Sequence, residues 1–190
     1  MYYCNVKEDT RRHIIQTASY LFYTKGYNLT GINEIIAEAD IAKATLYSHF
    51  KSKEDICVAY LQFMNQQFLD DIKNYCLQKP QGVEQILAIM DFLADFYTTK
   101  EFNGCWCINT VAEIPSESVA IKAEIQTQKK LFLSLIEDLV ASNLEVSKKE
   151  TQTISKQVYL LYEGAVTESH LHNSEWPIEE AKSICESIIV

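Results

Sequence analysis

Between Asn28 and Lys53 the chain reads NLTGINEIIAEADIAKATLYSHFKSK, and this stretch narrows the possible folds more than any other. Ile32, Ile35, Ile36 and Ala39 recur at helical spacing and define one short amphipathic helix. The pattern breaks at Asp40-Ile41, where Asp tolerates a left-handed backbone better than most residues. A second short helix follows, burying Leu46 and Phe50 while offering Lys43, Thr45, Tyr47, Ser48 and His49 to solvent. Two short helices around so tight a break form a helix-turn-helix, here at residues 31–50. In that motif one helix braces while the next is short and polar enough to enter the major groove of duplex DNA.

The rest of the chain punctuates itself as helices too. A first helix is expected from Lys7 to Lys25, with Ile14, Ala18, Leu21 and Phe22 on one face. Gly26 follows where a left-handed residue ends a helix, and Thr30 is the expected N-cap of the next one. A long fourth helix opens at Ser52, whose Ser-Lys-Glu-Asp run resembles a capping box, and runs to about Gln78 before Pro80 and Gly82. Further helices are expected over 83–99, 105–114, 116–142, 147–172 and from Pro177 to Ile189. Only three prolines and five glycines interrupt 190 residues, and alternating strand-like runs are few. The expected fold is therefore all-α, with about nine helices. A three-helix amino-terminal domain (8–68) shares the long fourth helix with a helical carboxy-terminal domain (69–190).

The charge is divided unevenly. The net charge is −9, yet residues 1–53 hold Lys7, Arg11, Arg12, Lys25, Lys43, Lys51 and Lys53 against only five carboxylates. That end is net +2 and the remainder −11, as expected of a protein that meets phosphates at one end only. No run of 18 apolar residues exists, and the charged first 20 residues do not read as an export signal, so a cytoplasmic protein without a membrane segment is expected. Cys4, Cys57, Cys76, Cys105, Cys107 and Cys185 then read as reduced, mostly buried thiols. The one-residue gap between Cys105 and Cys107 is too short for a zinc knuckle. His170 and His172, at a helix end, read as surface residues rather than metal ligands. Without a Gly-rich phosphate loop, a Ser/His/Asp order or a metal-binding histidine pair, neither an enzyme nor a cofactor is expected.

These residues resemble the TetR family of transcriptional regulators. The resemblance is carried by Ile35-Ile36-Ala37-Glu38-Ala39 and by Lys43-Ala44-Thr45-Leu46-Tyr47-Ser48-His49-Phe50-Lys51-Ser52-Lys53-Glu54, which contains the family's Leu-Tyr-x-His-Phe-Lys-x-Lys-Glu without a gap. Phe22 to Tyr27 fits the family's ending of the first helix, and Gly104-Cys105-Trp106-Cys107 resembles its opening of helix six. Two positions depart: Asp40 stands where Gly is usual, and Ala42 where Ser usually opens the recognition helix. In the docking mode the resemblance implies, Lys43, Ala44, Thr45 and Ser48 approach base edges or sugars, whereas Tyr47, His49, Lys51 and Lys53 hold phosphates. Phosphate contacts fix position and groove contacts specify sequence.

The resemblance further implies a homodimer on operator DNA and a small-molecule effector in the carboxy-terminal domain. Phe63, Phe92, Phe96, Trp106 and Tyr159 are the expected apolar lining of its pocket, with Cys105, Cys107 and Tyr162 among the polar groups. Gly164 costs roughly 1 kcal/mol inside a helix, which a close approach by another helix would explain. With Leu160, Leu161, Ala165 and Glu168 it marks the expected dimer face. The reading is thus a homodimeric repressor released by an apolar or amphipathic effector. The alternative is a thiol-based redox-sensing regulator using Cys105 or Cys107, although no cation lies within four residues of Cys107.

Overall fold

Residues 9–25 carry apolar side chains on one face, so that Ile14, Ala18, Leu21 and Phe22 are all buried in a helix that ends at Gly26 with φ +93°. The computed structural model describes residues 2–189, with side chains from residue 9 onward. Cys4 and Lys7 therefore fall outside the described side chains. Among the described residues there are nine α-helices and no strand: α1 (Tyr2–Lys25), α2 (Ile32–Glu38), α3 (Lys43–His49), α4 (Lys53–Leu77), α5 (Val83–Tyr97), α6 (Trp106–Glu113), α7 (Val119–Asn143), α8 (Lys148–His172) and α9 (Trp176–Ile189). None of them is long and apolar enough to cross a membrane.

Several helix starts differ from the sequence expectation, each for a local reason. α1 begins five residues before Lys7, since nothing in Tyr2–Val6 breaks a helix. Thr30 is not the cap of α2: Gly31 holds that position, and the fully buried Thr30 hydroxyl instead donates to the carbonyls of Gly26 (2.8 Å) and Leu21 (3.2 Å). Its oxygen thus closes the end of α1, where carbonyls lack helical partners. α7 begins at Val119 rather than Ser116, because a turn follows Pro115 in which the Ser118 N–H bonds the Pro115 carbonyl. Trp176 opens α9, leaving Pro177 in the first turn, where its missing N–H goes unneeded. The capping box of α8 is present in full: Ser147 Oγ accepts from the Glu150 N–H, and the Glu150 carboxylate accepts from the Ser147 N–H.

The chain forms two compact units, 1–66 with 106–127 and 67–105 with 128–190. The division differs from the expected boundary at 68 by assigning α6 and the start of α7 to the first unit. The reason is long-range bonding that no local pattern encodes, chiefly the contacts of Glu113 with the loop after α1. In the first unit, Ile14, Leu21, Phe22, Ile35, Leu46, Phe50, Ile56 and Tyr60 make the core. The second unit has its own core, with Ile86, Ile89, Met90 and Leu93 of α5, Val158 and Val166 of α8, and Ile178 and Cys185 of α9.

Candidate nucleic-acid interface

The turn between α2 and α3 is built from backbone bonds and one strained residue. The Ile41 N–H donates to the Ile36 carbonyl and the Asp40 N–H to the Ala37 carbonyl, both at 3.2 Å, which is the Schellman closure of a helix end. Asp40 is the left-handed residue this closure demands, at φ 50°. The Nε2 of His13 lies 3.0 Å from the Ala39 carbonyl, tying α1 to the same turn. The turn is thereby fixed on both sides.

α3 then leaves the turn with Ala42 as its N-cap residue and no side-chain cap, so Asp40 does not act as a cap in place of the usual Ser. Leu46 is fully buried and Phe50 nearly so, which sets the rotation of α3 about its axis. That rotation exposes Lys43, Ala44, Tyr47 and Ser48, and just beyond the helix Lys51; Thr45 and His49 are half-buried along its edges. Lys43 Nζ lies 6.0 Å from the Tyr47 ring centroid, one helical turn away, so a cation and an aromatic face share the outer surface. Ser48 Oγ donates to the Thr45 carbonyl at 2.7 Å. In this state that hydroxyl is directed at its own helix.

The phosphate-facing candidates divide. Lys51 is exposed, and its backbone N–H donates to Asp55 Oδ2 at 3.0 Å while the Asp55 N–H donates to Ser52 Oγ at 3.0 Å. The reciprocal cap expected at Ser52 is therefore shifted by one residue, with Lys51 in place of the Ser52 N–H. Lys53 is half-buried, its ammonium 4.2 Å from the Tyr27 ring centroid, and burial holds its pKa below the ordinary lysine value. The Arg11 guanidinium lies 5.1 Å from the ring of Phe50, so α1 adds a cation beside the end of α3. Sequence reasoning left Arg11 outside its named contacts, because the proximity depends on how α1 crosses the motif.

The expected effector-lining residues fall into both units. In the first unit, Phe63 and Trp106 are half-buried and Cys107 is 2% exposed. In the second, Tyr159 and Tyr162 stand 5.9 and 4.8 Å from Phe132, ring centre to ring centre, and Phe92 stands 6.0 Å from Phe68. Phe68 and Phe132 are themselves 5.0 Å apart, joining these rings into one edge-to-face cluster. Phe96 belongs elsewhere, 5.5 Å from Phe102. A groove of about 430 Å³ opens along α4 and α7 of the same unit, lined by Leu69, Leu77, Leu131, Leu135 and Leu139 with Lys73 and Asp138 at its polar side. None of the expected lining residues faces it, since periodicity alone does not say which face of α7 is left uncovered.

Along α8, Leu160, Gly164 and Glu168 are exposed and Leu161 is half-buried. A Cβ at Gly164 would meet nothing within 4 Å. Among the described residues, no neighbouring helix comes within contact distance of that position. Ala165 differs from its neighbours: it is 3% exposed and packs into its own unit. Leu171, Trp176 and Ile184 extend the exposed apolar surface of α8 and α9.

Comparisons with known proteins agree with this geometry. Residues 14–60 match the profile of the family described as bacterial regulatory proteins, tetR family. The HTH-type transcriptional repressor NemR of Escherichia coli is 23% identical over 192 residues, covering 97% of this chain and 96% of the repressor. The HTH-type transcriptional regulator LmrA of Bacillus subtilis is 26% identical over 176 residues, covering 90% and 91%. The solved structure of a TetR-family transcriptional regulator from Streptomyces coelicolor superposes with a TM-score of 0.84 at 26% identity, across 96% of this chain and 95% of that one.

Proposed function

The chain belongs to the TetR family of bacterial regulatory proteins, and from that premise we propose a homodimeric repressor that binds a two-fold operator through α3. A small apolar or amphipathic molecule bound in the helical body releases it. The observation that carries the DNA-binding part is the rotation of α3. With Leu46 and Phe50 locked inward, Lys43, Ala44, Tyr47, Ser48 and Lys51 share one accessible surface. Two such helices in a dimer meet successive major grooves when they stand roughly 34–36 Å apart.

Support for pairing comes from α8 and α9. Leu160 and Leu171 are 66% and 71% exposed, and the open Gly164 between them leaves room for a second backbone to approach. An exposed apolar stripe of this kind is costly in water and is relieved when a copy covers it. Control by an effector follows from differential affinity: a molecule that prefers the DNA-incompetent state weakens operator binding by its preference, and by no more.

The test is binding to duplexes selected from random sequence, measured from low to high salt. Lys51→Ala should weaken binding to all sequences alike and flatten the logarithmic salt slope by about one. Thr45→Ala should instead change the preferred bases, with a cost of about 1–3 kcal/mol at the affected position. Selection that returns no preferred two-fold sequence, or variants that leave affinity and preference unchanged, would remove α3 as the reading helix.

A further inference from the structure

The groove along α4 and α7 lies wholly in the second unit and takes no part in the DNA-binding motif. Leu69, Lys73 and Leu77 recur every four residues on α4, as Leu131, Leu135 and Leu139 do on α7, so each helix turns one stripe toward the crevice. From Leu69 to Leu77 the stripe runs about 12 Å at the helical rise. Leu77 and Leu131 are 53% and 48% exposed, so this apolar surface is open to water. At the end beyond Leu77 the polar groups are already engaged. Asn143 Oδ1 accepts from the Gly82 N–H at 2.7 Å, and the Asn143 and Gln85 amides donate to the carbonyls of Leu139 and Lys79.

Three polar groups midway along the groove are not engaged. Among the described residues, the Lys73 ammonium, the Ser134 hydroxyl and the Asp138 carboxylate make no hydrogen bond or ion pair. Ser142 shows the contrast: its hydroxyl donates to the Asp138 carbonyl at 2.7 Å, the common refuge of a helical serine. Leucine walls with a few unengaged polar groups, around a cavity of about 430 Å³, have the composition of a small-molecule site.

We propose that the groove binds a single-tailed zwitterionic amphiphile, its cation at Asp138, its anion at Lys73 and its alkyl tail along the leucines. Charge selects this class. A fatty acid would pair with Lys73 but set its carboxylate beside Asp138, and a lipophilic ammonium compound would pair with Asp138 but meet a like charge at Lys73. An uncharged chain would dry the surface around both groups and give neither a partner. An occupant of both signs satisfies each, and the Ser134 hydroxyl adds a donor for the anion. A crevice between two helical stripes is also elongated, which suits one extended tail better than a compact ring. A second copy of the chain is the rival occupant, because its own groove presents leucines, one cation and one anion in turn. The assignment goes beyond the repressor reading and is tested without DNA, so its failure leaves the role of α3 untouched.

The full chain is titrated by calorimetry with N-dodecyl-N,N-dimethylglycine, dodecanoate and dodecyltrimethylammonium, each below its micelle-forming concentration. The zwitterion should bind tightest, by about two- to fivefold over each singly charged compound, the worth of one exposed ion pair. Lys73→Met should erase its advantage over dodecyltrimethylammonium, and Asp138→Asn its advantage over dodecanoate. Leu131→Ser should weaken all three compounds alike. All three residues are exposed, so the variants should keep the helical circular dichroism of the parent. The proposal is overturned if the zwitterion does not bind, if a singly charged compound binds the parent as tightly, or if either preference survives its variant. Leu131→Ser that binds like the parent overturns it too. Sedimentation decides the rival occupant: Leu131→Ser should leave the association state unchanged, and a loss of association would assign the groove to a second copy instead.

Discussion

The backbone N–H of Asn28 donates to Glu113 Oε2 at 2.7 Å, and the Asn28 side-chain amide donates to the Glu113 carbonyl at 2.8 Å, 85 residues away in the chain. The end of α6 thus holds the loop that leads from α1 into the helix-turn-helix. Gly26 makes the approach possible, for it turns the chain at φ +93° and a Cβ there would collide with the Glu113 carboxylate. One residue remote in the chain thus supplies two acceptors to Asn28, one from its carboxylate and one from its backbone.

Gly26→Ala is expected to destabilise the protein by about 2 kcal/mol or more, from left-handed strain plus the collision. Glu113→Ala should cost about 1 kcal/mol, the worth of a hydrogen bond at a partly exposed site. Combined, they should cost less than their sum, because the second change removes the obstacle to the first. Urea unfolding of the four proteins in the cycle measures this, and strict additivity would show that the contact is absent.

Asp40 occupies a position that suits glycine, at φ 50°. Asp40→Gly relieves about 1–2 kcal/mol of left-handed strain and loses about 0.5–1 kcal/mol to the greater freedom of the unfolded chain. A modest rise in melting temperature is expected. Asp40→Asn tolerates the same conformation and should leave stability near the parent value. Both changes remove an exposed carboxylate beside α3, so both should tighten DNA binding, most visibly at low salt. Affinity that follows stability rather than charge would contradict the assignment.

The capping box at the start of α8 titrates. Hydrogen bonds from the Ser147 hydroxyl and backbone hold the Glu150 carboxyl below the ordinary carboxylate value. Because its pKa is lowered on folding, the stabilisation is complete above the unfolded-state value and is lost as pH falls through the lowered one. Glu150→Gln should therefore weaken the protein at pH 7 and lose that effect at acidic pH. Ser147→Ala should cost about 1 kcal/mol at neutral pH. Thermal unfolding of both variants between pH 7 and pH 3 reads the difference, and a penalty independent of pH for Glu150→Gln would contradict it.

Leu160→Arg places a charge in the middle of the exposed stripe of α8, where a covering copy would have to desolvate it. Sedimentation should show a dimer for the parent and a monomer for the variant, with the helical circular dichroism retained. Operator affinity should fall with dimer content, since one reading helix engages half a site. A parent protein that sediments as a monomer would overturn this face as the dimer contact.

How much was legible beforehand differs between elements for reasons of range. The turn at Asp40, the stop at Gly26 and the box at Ser147 were readable because each is decided within five or six residues. Thr30 was misassigned by the same local logic: a hydroxyl before a helix reads as a cap, yet here it serves the preceding helix, whose end lies just as near in space. The aromatic residues of the second unit were identified as a group, but Phe96 pairs with Phe102 rather than joining the Phe68–Phe132 cluster. Helical periodicity ranks faces as apolar or polar. It does not say which apolar face meets which.

Helix content, the short braced reading helix and the division of charge followed from the order of residues, since hydrophobic spacing and turn chemistry act between near neighbours. Packing alone decided that Glu113 closes the loop after α1, that Ala165 turns inward while Gly164 faces out, and that Lys129 and Glu163 meet at Cys105. Those relations depend on distances between segments remote in the chain, which are fixed only when two helices choose the same crossing.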